Sequence, residues 1–162
     1  MIKINDRIPE VKLQTMNGRK VISKVATEIF AGKKTLLFAV PGAFTPTCSE
    51  QHLPGYMNCL FDLRKLGVQQ VACVSVNDAF VMNAWAKDQN ITDEILMLAD
   101  GSADFAKALG LELDMSKFGF GLRSARYAML IDDNVVKLLN VEKGGALKVS
   151  KAEVILEDLA SL

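Results

Sequence analysis

The stretch Thr35-Leu36-Leu37-Phe38-Ala39-Val40-Pro41-Gly42-Ala43-Phe44-Thr45-Pro46-Thr47-Cys48 carries the reading of the fold. Its first six residues form an unbroken apolar run of strand length, the pattern of a strand covered on both faces. Pro41-Gly42 stops that run. After a threonine-rich loop the spacing predicts a helix to Leu66, with Leu60, Leu63 and Leu66 on one face and Gly67 closing it. Val71 to Val76 is a second run of the buried type. Asn77 or Asp78 then caps a helix to about Lys87, whose apolar stripe reads as Phe80, Val81, Ala84 and Trp85. Ile95 to Ala99 is a third strand, and Asp100-Gly101 leads into a helix over Ala103 to Leu109, closed by Gly110.

Towards the amino terminus, Val11–Thr15 and Lys20–Ile22 flank Asn17-Gly18, a pair suited to a tight primed hairpin turn. A short helical turn spans Lys24 to Phe30. Towards the carboxyl terminus, Leu111 to Arg123 lacks periodicity and is expected to be a long surface loop. Tyr127–Ile131 and Val135–Val141 flank Asp132-Asp133-Asn134, a second hairpin signal. Ser150-Lys151-Ala152-Glu153 reads as a capping box opening a final helix to about Leu159. Strands alternating with helices in the middle and a hairpin at each end predict a three-layer α/β fold, a central mixed sheet flanked by helices. A single domain over residues 1–162 is expected.

Composition narrows the function classes. Half of the 162 residues are apolar, which suits a packed core, and 19 Lys+Arg balance 19 Asp+Glu. A zero balance without a basic run argues against nucleic acid or an anionic membrane as partner. No apolar run has the roughly 18 residues of a membrane span. The polar start Met1-Ile2-Lys3-Ile4-Asn5-Asp6 is unlike a secretory signal, so a cytoplasmic address is expected. The three cysteines, Cys48, Cys59 and Cys73, are odd in number and contain no C-x-x-C, which argues against a disulfide scaffold.

The chemistry is expected in Pro41 to Gly55, between the carboxyl end of a buried strand and the start of a helix, where open α/β sheets bind ligands. Thr47-x-x-Glu50 reads as a capping box, making Cys48 the first helical residue. There, free backbone N–H groups and the helix macrodipole favour thiolate over thiol. Thr45 offers a hydroxyl that both accepts and donates, and Pro41 can shield the sulfur from water. A cation is needed as well. Arg123 and Arg126 precede the strand at Tyr127, and their odd spacing lets at most one face the thiolate in an extended chain. Spacing alone leaves that choice open.

Pro41-x-x-x-Thr45-x-x-Cys48 resembles the P-x-x-x-[TS]-x-x-C signature of peroxiredoxins. Val40 to Cys48, His52-x-Pro54-Gly55, Val74-Ser75-Val76-Asn77-Asp78, Leu98-Ala99-Asp100-Gly101 and Arg123-Ser124-Ala125-Arg126-Tyr127 are similar to the type-II, five-like branch. The resemblance implies a thioredoxin-like fold and reduction of hydrogen peroxide and alkyl hydroperoxides, without metal or organic cofactor. It implies Cys48 as peroxidatic nucleophile passing through a sulfenic acid, Thr45 bonding the peroxide, Pro41 shielding the pocket, and Arg126 as the active-site cation. It further implies a homodimer, recycled by glutathione and glutaredoxin or by thioredoxin. Cys73 stands where branch relatives often carry a second cysteine and is a possible resolving thiol; Cys59 has no assigned role.

Blander readings apply to other features. Cys48 and His52 are four residues apart, but zinc needs two more ligands and the chain has no second histidine. Phe118, Phe120 and Leu122 are either core cover or part of a dimer patch. Two rival functions are a thiol–disulfide electron carrier, disfavoured by the missing C-x-x-C, and a non-catalytic redox-sensing interaction module.

Overall fold

In the computed structural model, which describes residues 1–162, the apolar runs become the inner strands of a seven-stranded sheet. A hairpin of β1 (Lys12–Asn17) and β2 (Lys20–Val25) precedes a helical turn, α1 (Ala26–Ile29), and strand β3 (Lys34–Ala39). A π-helical turn, Cys48–His52, leads into α2 (Leu53–Asn58) and α3 (Leu60–Lys65), then β4 (Gln70–Ser75), α4 (Ala79–Asp88), β5 (Leu96–Ala99) and α5 (Asp104–Leu109). Strands β6 (Glu112–Asp114) and β7 (Leu122–Ser124) flank a short 3-10 turn, and β8 (Tyr127–Asp132), β9 (Val135–Val141) and α6 (Ala152–Ala160) follow.

The sheet runs β2-β1-β5-β4-β3-β8-β9, with β3, β4 and β5 parallel and the flanking strands antiparallel. This is the mixed three-layer arrangement expected. Side chains alternate across each inner strand, so the core divides by parity. Leu36, Phe38 and Val40 join Cys73, Met97 and Ala128 beneath α2, α3, α4 and α6. Leu37 and Ala39 join Val74, Leu98 and Met129 on the opposite face, against Phe30, Phe105 and Leu109. The second hairpin turns where its sequence predicts, with Asp133 and Asn134 both at positive φ, the demand of a type I′ turn; the first turns one residue later than expected, since Asn17 stays in β1 opposite Lys20 and Gly18-Arg19 make the turn, with Gly18 at φ +61°.

Four more expectations fail locally. Leu111 to Arg123 is not a loop but folds into the β6–β7 hairpin; its strands are three residues long, too short for periodicity to register. The stripe of α4 is Ala79, Met82, Trp85 and Ala86, while Phe80 points outward, 63% exposed. The helix expected up to Leu66 is broken at Cys59 (φ −104°, ψ 5°), and Leu66 is exposed. Ser150 does not cap α6, because its hydroxyl is taken by the Glu142 carboxylate at 2.7 Å. A charge-assisted tertiary bond outcompetes the local cap.

Candidate active site

Pro46 sets where the helix carrying Cys48 begins. Proline has no N–H to lose and a fixed φ suited to the first helical position, whereas the residue before it is steered away from helix. Helical backbone accordingly starts at Pro46, and Ser49 N–H donates to the Thr45 carbonyl at 2.9 Å. Thr47 is itself helical (φ −62°, ψ −39°) and its side chain caps nothing. The expected capping box is therefore not formed, and Cys48 is the third helical residue rather than the first. It still lies in the first turn, where its N–H donates to no backbone carbonyl.

Pro54 explains the π turn. An α-helix through it would need a Pro54 N–H on the Glu50 carbonyl, which proline lacks, and its ring would clash there. The chain widens by one residue instead, with Leu53 N–H bonded to the Cys48 carbonyl. Cys48 and His52, four apart, come to bear on the same guanidinium.

That guanidinium is Arg126. Its Nη2 donates to Cys48 Sγ at 3.3 Å, and its Nη1 to His52 Nδ1 at 2.9 Å. Arg126 is 3% exposed, and its Nε–H meets no protein acceptor, which leaves a buried donor for a substrate oxygen. Arg123 points elsewhere: its Nη1 donates to the carbonyls of Pro41 (3.4 Å) and Val76 (3.3 Å) and its Nε to that of Phe120, clamping the loop to the end of β4. Thr45 Oγ1–H donates to the Gly42 carbonyl at 2.7 Å, which leaves the oxygen lone pairs of the hydroxyl as acceptors. A Cβ on Gly42 would stand 3.1 Å from Thr45 Cγ2 and 3.2 Å from Arg123 Nη1, so the loop is packed tightly at that point. Asn77 Oδ1 accepts Ala43 N–H at 3.0 Å and fixes its other end. Phe44, 51% exposed, sits at φ +65°, a strained conformation for a bulky residue, beside the site.

Cys48 itself is fully buried. What lies against its sulfur is a cation, not hydrocarbon alone. Cys73, also fully buried on the facing strand β4, has its thiol pushed well up by burial and by the nearby Cys48, which outweigh Arg126. Burial, with Glu153 and Asp62, likewise raises Cys59.

His52 serves as a hydrogen-bonding bridge rather than as half of a metal pair. An arginine N–H can only donate, so His52 Nδ1 accepts, its proton lies on Nε2, and Nε2–H donates to the Ser150 carbonyl at 3.2 Å. Both ring nitrogens are committed, which removes a metal-binding lone pair. Burial first, then Arg126, lowers the imidazole to about 3. Tyr56 OH donates to the same Ser150 carbonyl at 2.6 Å and stacks on Phe38. The sequence signals for this set are the spacing of His52 from Cys48 and the block His52-x-Pro54-Gly55.

A family model described as Redoxin matches residues 3–156. Peroxiredoxin-2E, chloroplastic, of Arabidopsis thaliana is 49% identical over 98% of this chain and 69% of its own length, and Peroxiredoxin-2C of Oryza sativa subsp. japonica is 46% identical over 98% of each. The chain belongs to the type-II, five-like peroxiredoxins. Among solved structures, a reduced Prx3 from Vibrio vulnificus in complex with hydrogen peroxide superposes with a TM-score of 0.94 at 55% identity, covering 99% of this chain and 97% of that one. The oxidised form of that protein covers 98% and 99% with a TM-score of 0.90 at 54% identity. This peroxiredoxin is thus a thiol-dependent peroxidase with a thioredoxin-like fold, taking a peroxide substrate and a thiol reductant.

Proposed function

We propose that Cys48 is the peroxidatic residue and that Arg126, Thr45 and the Cys48 backbone N–H hold the two peroxide oxygens. The observation that carries this reading is the Arg126 Nη2 to Cys48 Sγ contact of 3.3 Å. The thiolate attacks the proximal oxygen in line. Two electrons pass from sulfur into the O–O bond, which breaks, and the departing oxygen leaves as alkoxide or hydroxide and takes up a proton. The products are Cys48 sulfenic acid and alcohol or water. Arg126 and the free N–H stabilise the charge growing on the leaving oxygen, and Pro41 walls off water.

Recycling is assigned to an external thiol, glutathione with glutaredoxin or else thioredoxin. One thiol condenses with the sulfenic acid and releases water; a second releases Cys48. Cys73 is a poor resolving thiol in this fold, since a raised, fully buried sulfhydryl supplies little thiolate. Three unpaired cysteines suit a reducing compartment, read here as the cytoplasm. Phe44, Phe80 and Phe120 are all exposed, apolar surface that supports a homodimer.

Peroxide consumption by the wild type and by Cys48→Ser, Cys59→Ser and Cys73→Ser chains, each with glutathione plus glutaredoxin or with thioredoxin, tests the reading. Loss confined to Cys48→Ser is expected. Full turnover by Cys48→Ser overturns it.

A further inference from the structure

Glu142 stands opposite Arg126 across the continuation of the β8–β9 ladder, its N–H donating to the Arg126 carbonyl at 2.9 Å. It is only 7% exposed, yet its Oε2 accepts four hydrogen bonds. These come from the backbone N–H groups of Lys148 (2.8 Å), Val149 (2.9 Å) and Ser150 (2.8 Å) and from Ser150 Oγ (2.7 Å). The carboxylate thus ties down the irregular segment 143–149, which has no ladder of its own, and sets the position of the Ser150 peptide. Burial pushes this carboxyl up, but the bonds from Ser150, Lys148 and Val149 prevail and hold it below the usual range, so it is ionised at neutral pH.

These bonds close a ring. Arg126 Nη1 reaches His52 Nδ1, His52 Nε2 reaches the Ser150 carbonyl, Ser150 N–H reaches Glu142 Oε2, and Glu142 N–H returns to the Arg126 carbonyl. His52 is held from both sides. If the Ser150 carbonyl moved, the imidazole could rotate or change tautomer, and Arg126 Nη1 would lose its acceptor.

We propose that Glu142 is a positioning residue for the peroxidase reaction: by fixing the Ser150 carbonyl it holds His52 as the Nε2–H tautomer, and His52 in turn aims Arg126 at the Cys48 sulfur. The proposal rests on the assignment of Cys48 and Arg126 made above. It extends the active site to a carboxylate that touches neither sulfur nor substrate.

His52 is the only histidine in the chain, so its imidazole nitrogen resonances in 15N-labelled protein are unambiguous. In the wild type they report a single Nε2–H tautomer. Glu142→Ala is expected to lower the rate constant with hydrogen peroxide on the order of tenfold and to replace that signature by averaged tautomers, with circular dichroism unchanged. Glu142→Gln, which keeps an acceptor oxygen, should fall between the two. Folded Glu142→Ala with wild-type His52 signals overturns the proposal, even if its rate has fallen, because that loss would be structural only. Should Glu142→Ala fail to fold, Ser150→Ala removes one of the four donors and leaves the carbonyl; a shifted His52 signal with a few-fold slower rate supports the proposal, and both unchanged overturns it. A wild type inert to peroxide would overturn the Cys48 assignment instead, while the His52 signals still decide the link to Glu142.

Discussion

Arg126 donates to His52 across 2.9 Å while its other terminal nitrogen reaches Cys48 at 3.3 Å, so one guanidinium spans the Cys48 sulfur and the chain's single histidine. Burial first, and that cation second, keep the imidazole neutral.

Arg126→Ala should slow peroxide consumption on the order of 10²-fold, the usual effect of removing one positioned donor from a developing charge. Arg126→Lys should recover little, since an ammonium cannot bond Sγ and Nδ1 together in a planar fork. Arg123→Ala should cost much less, because that side chain clamps carbonyls of the loop rather than the sulfur. Stopped-flow rates for the three variants, with circular dichroism to verify folding, check the order. Equal losses for Arg123 and Arg126 would contradict it.

Alkylation at pH 6 should mark Cys48 well before Cys59 and Cys73. Burial raises both of the latter thiols, whereas Cys48 carries a guanidinium contact. Mass mapping after brief iodoacetamide treatment reads the order directly.

Stability should fall with acid in a window set by His52. Its folded value is about 3 against an ordinary 6.5, so between those pH values the unfolded chain binds a proton that the native chain refuses. Folding free energy therefore declines as pH drops from about 6.5, by roughly 1.4 kcal/mol per pH unit. Glu142, held low when folded, adds its own loss only below the normal carboxylate range, so pH 5 to 6.5 isolates the histidine. Urea unfolding of wild type and His52→Asn measures this; the variant should show a flatter slope there.

Cys73→Ala should keep full turnover with an external thiol, at the expense of a small cavity beneath α2. Formation of a Cys48–Cys73 disulfide under peroxide, found by non-reducing mass analysis, would require the Cys48–Asn58 segment to unwind and would make Cys73 a participant.

The inner strands could be read from the chain because strands buried on both faces are apolar along most of their length, as Leu36–Val40 and Val71–Val74 are. The start of the helix carrying Cys48 could not be read correctly from Thr47-x-x-Glu50, since Pro46 competes for the first helical position and prevails. The β6–β7 hairpin escaped because three-residue strands, partly exposed, have no pattern to detect.

By itself, then, the amino-acid order determined the layered mixed sheet, the placing of Cys48 at a strand-to-helix junction and the company of Thr45 and Pro41, all of which follow from local periodicity and spacing. Tertiary structure put on the sulfur the arginine that the resemblance implies and spacing left open, and it decided the tautomer of His52 and the service of Glu142. Those depend on contacts between residues 74 and 98 positions apart, Arg126 with His52 and His52 with Ser150. Local spacing carries no record of such distant pairs, because directional hydrogen bonds are chosen only after the sheet has brought its strand ends together.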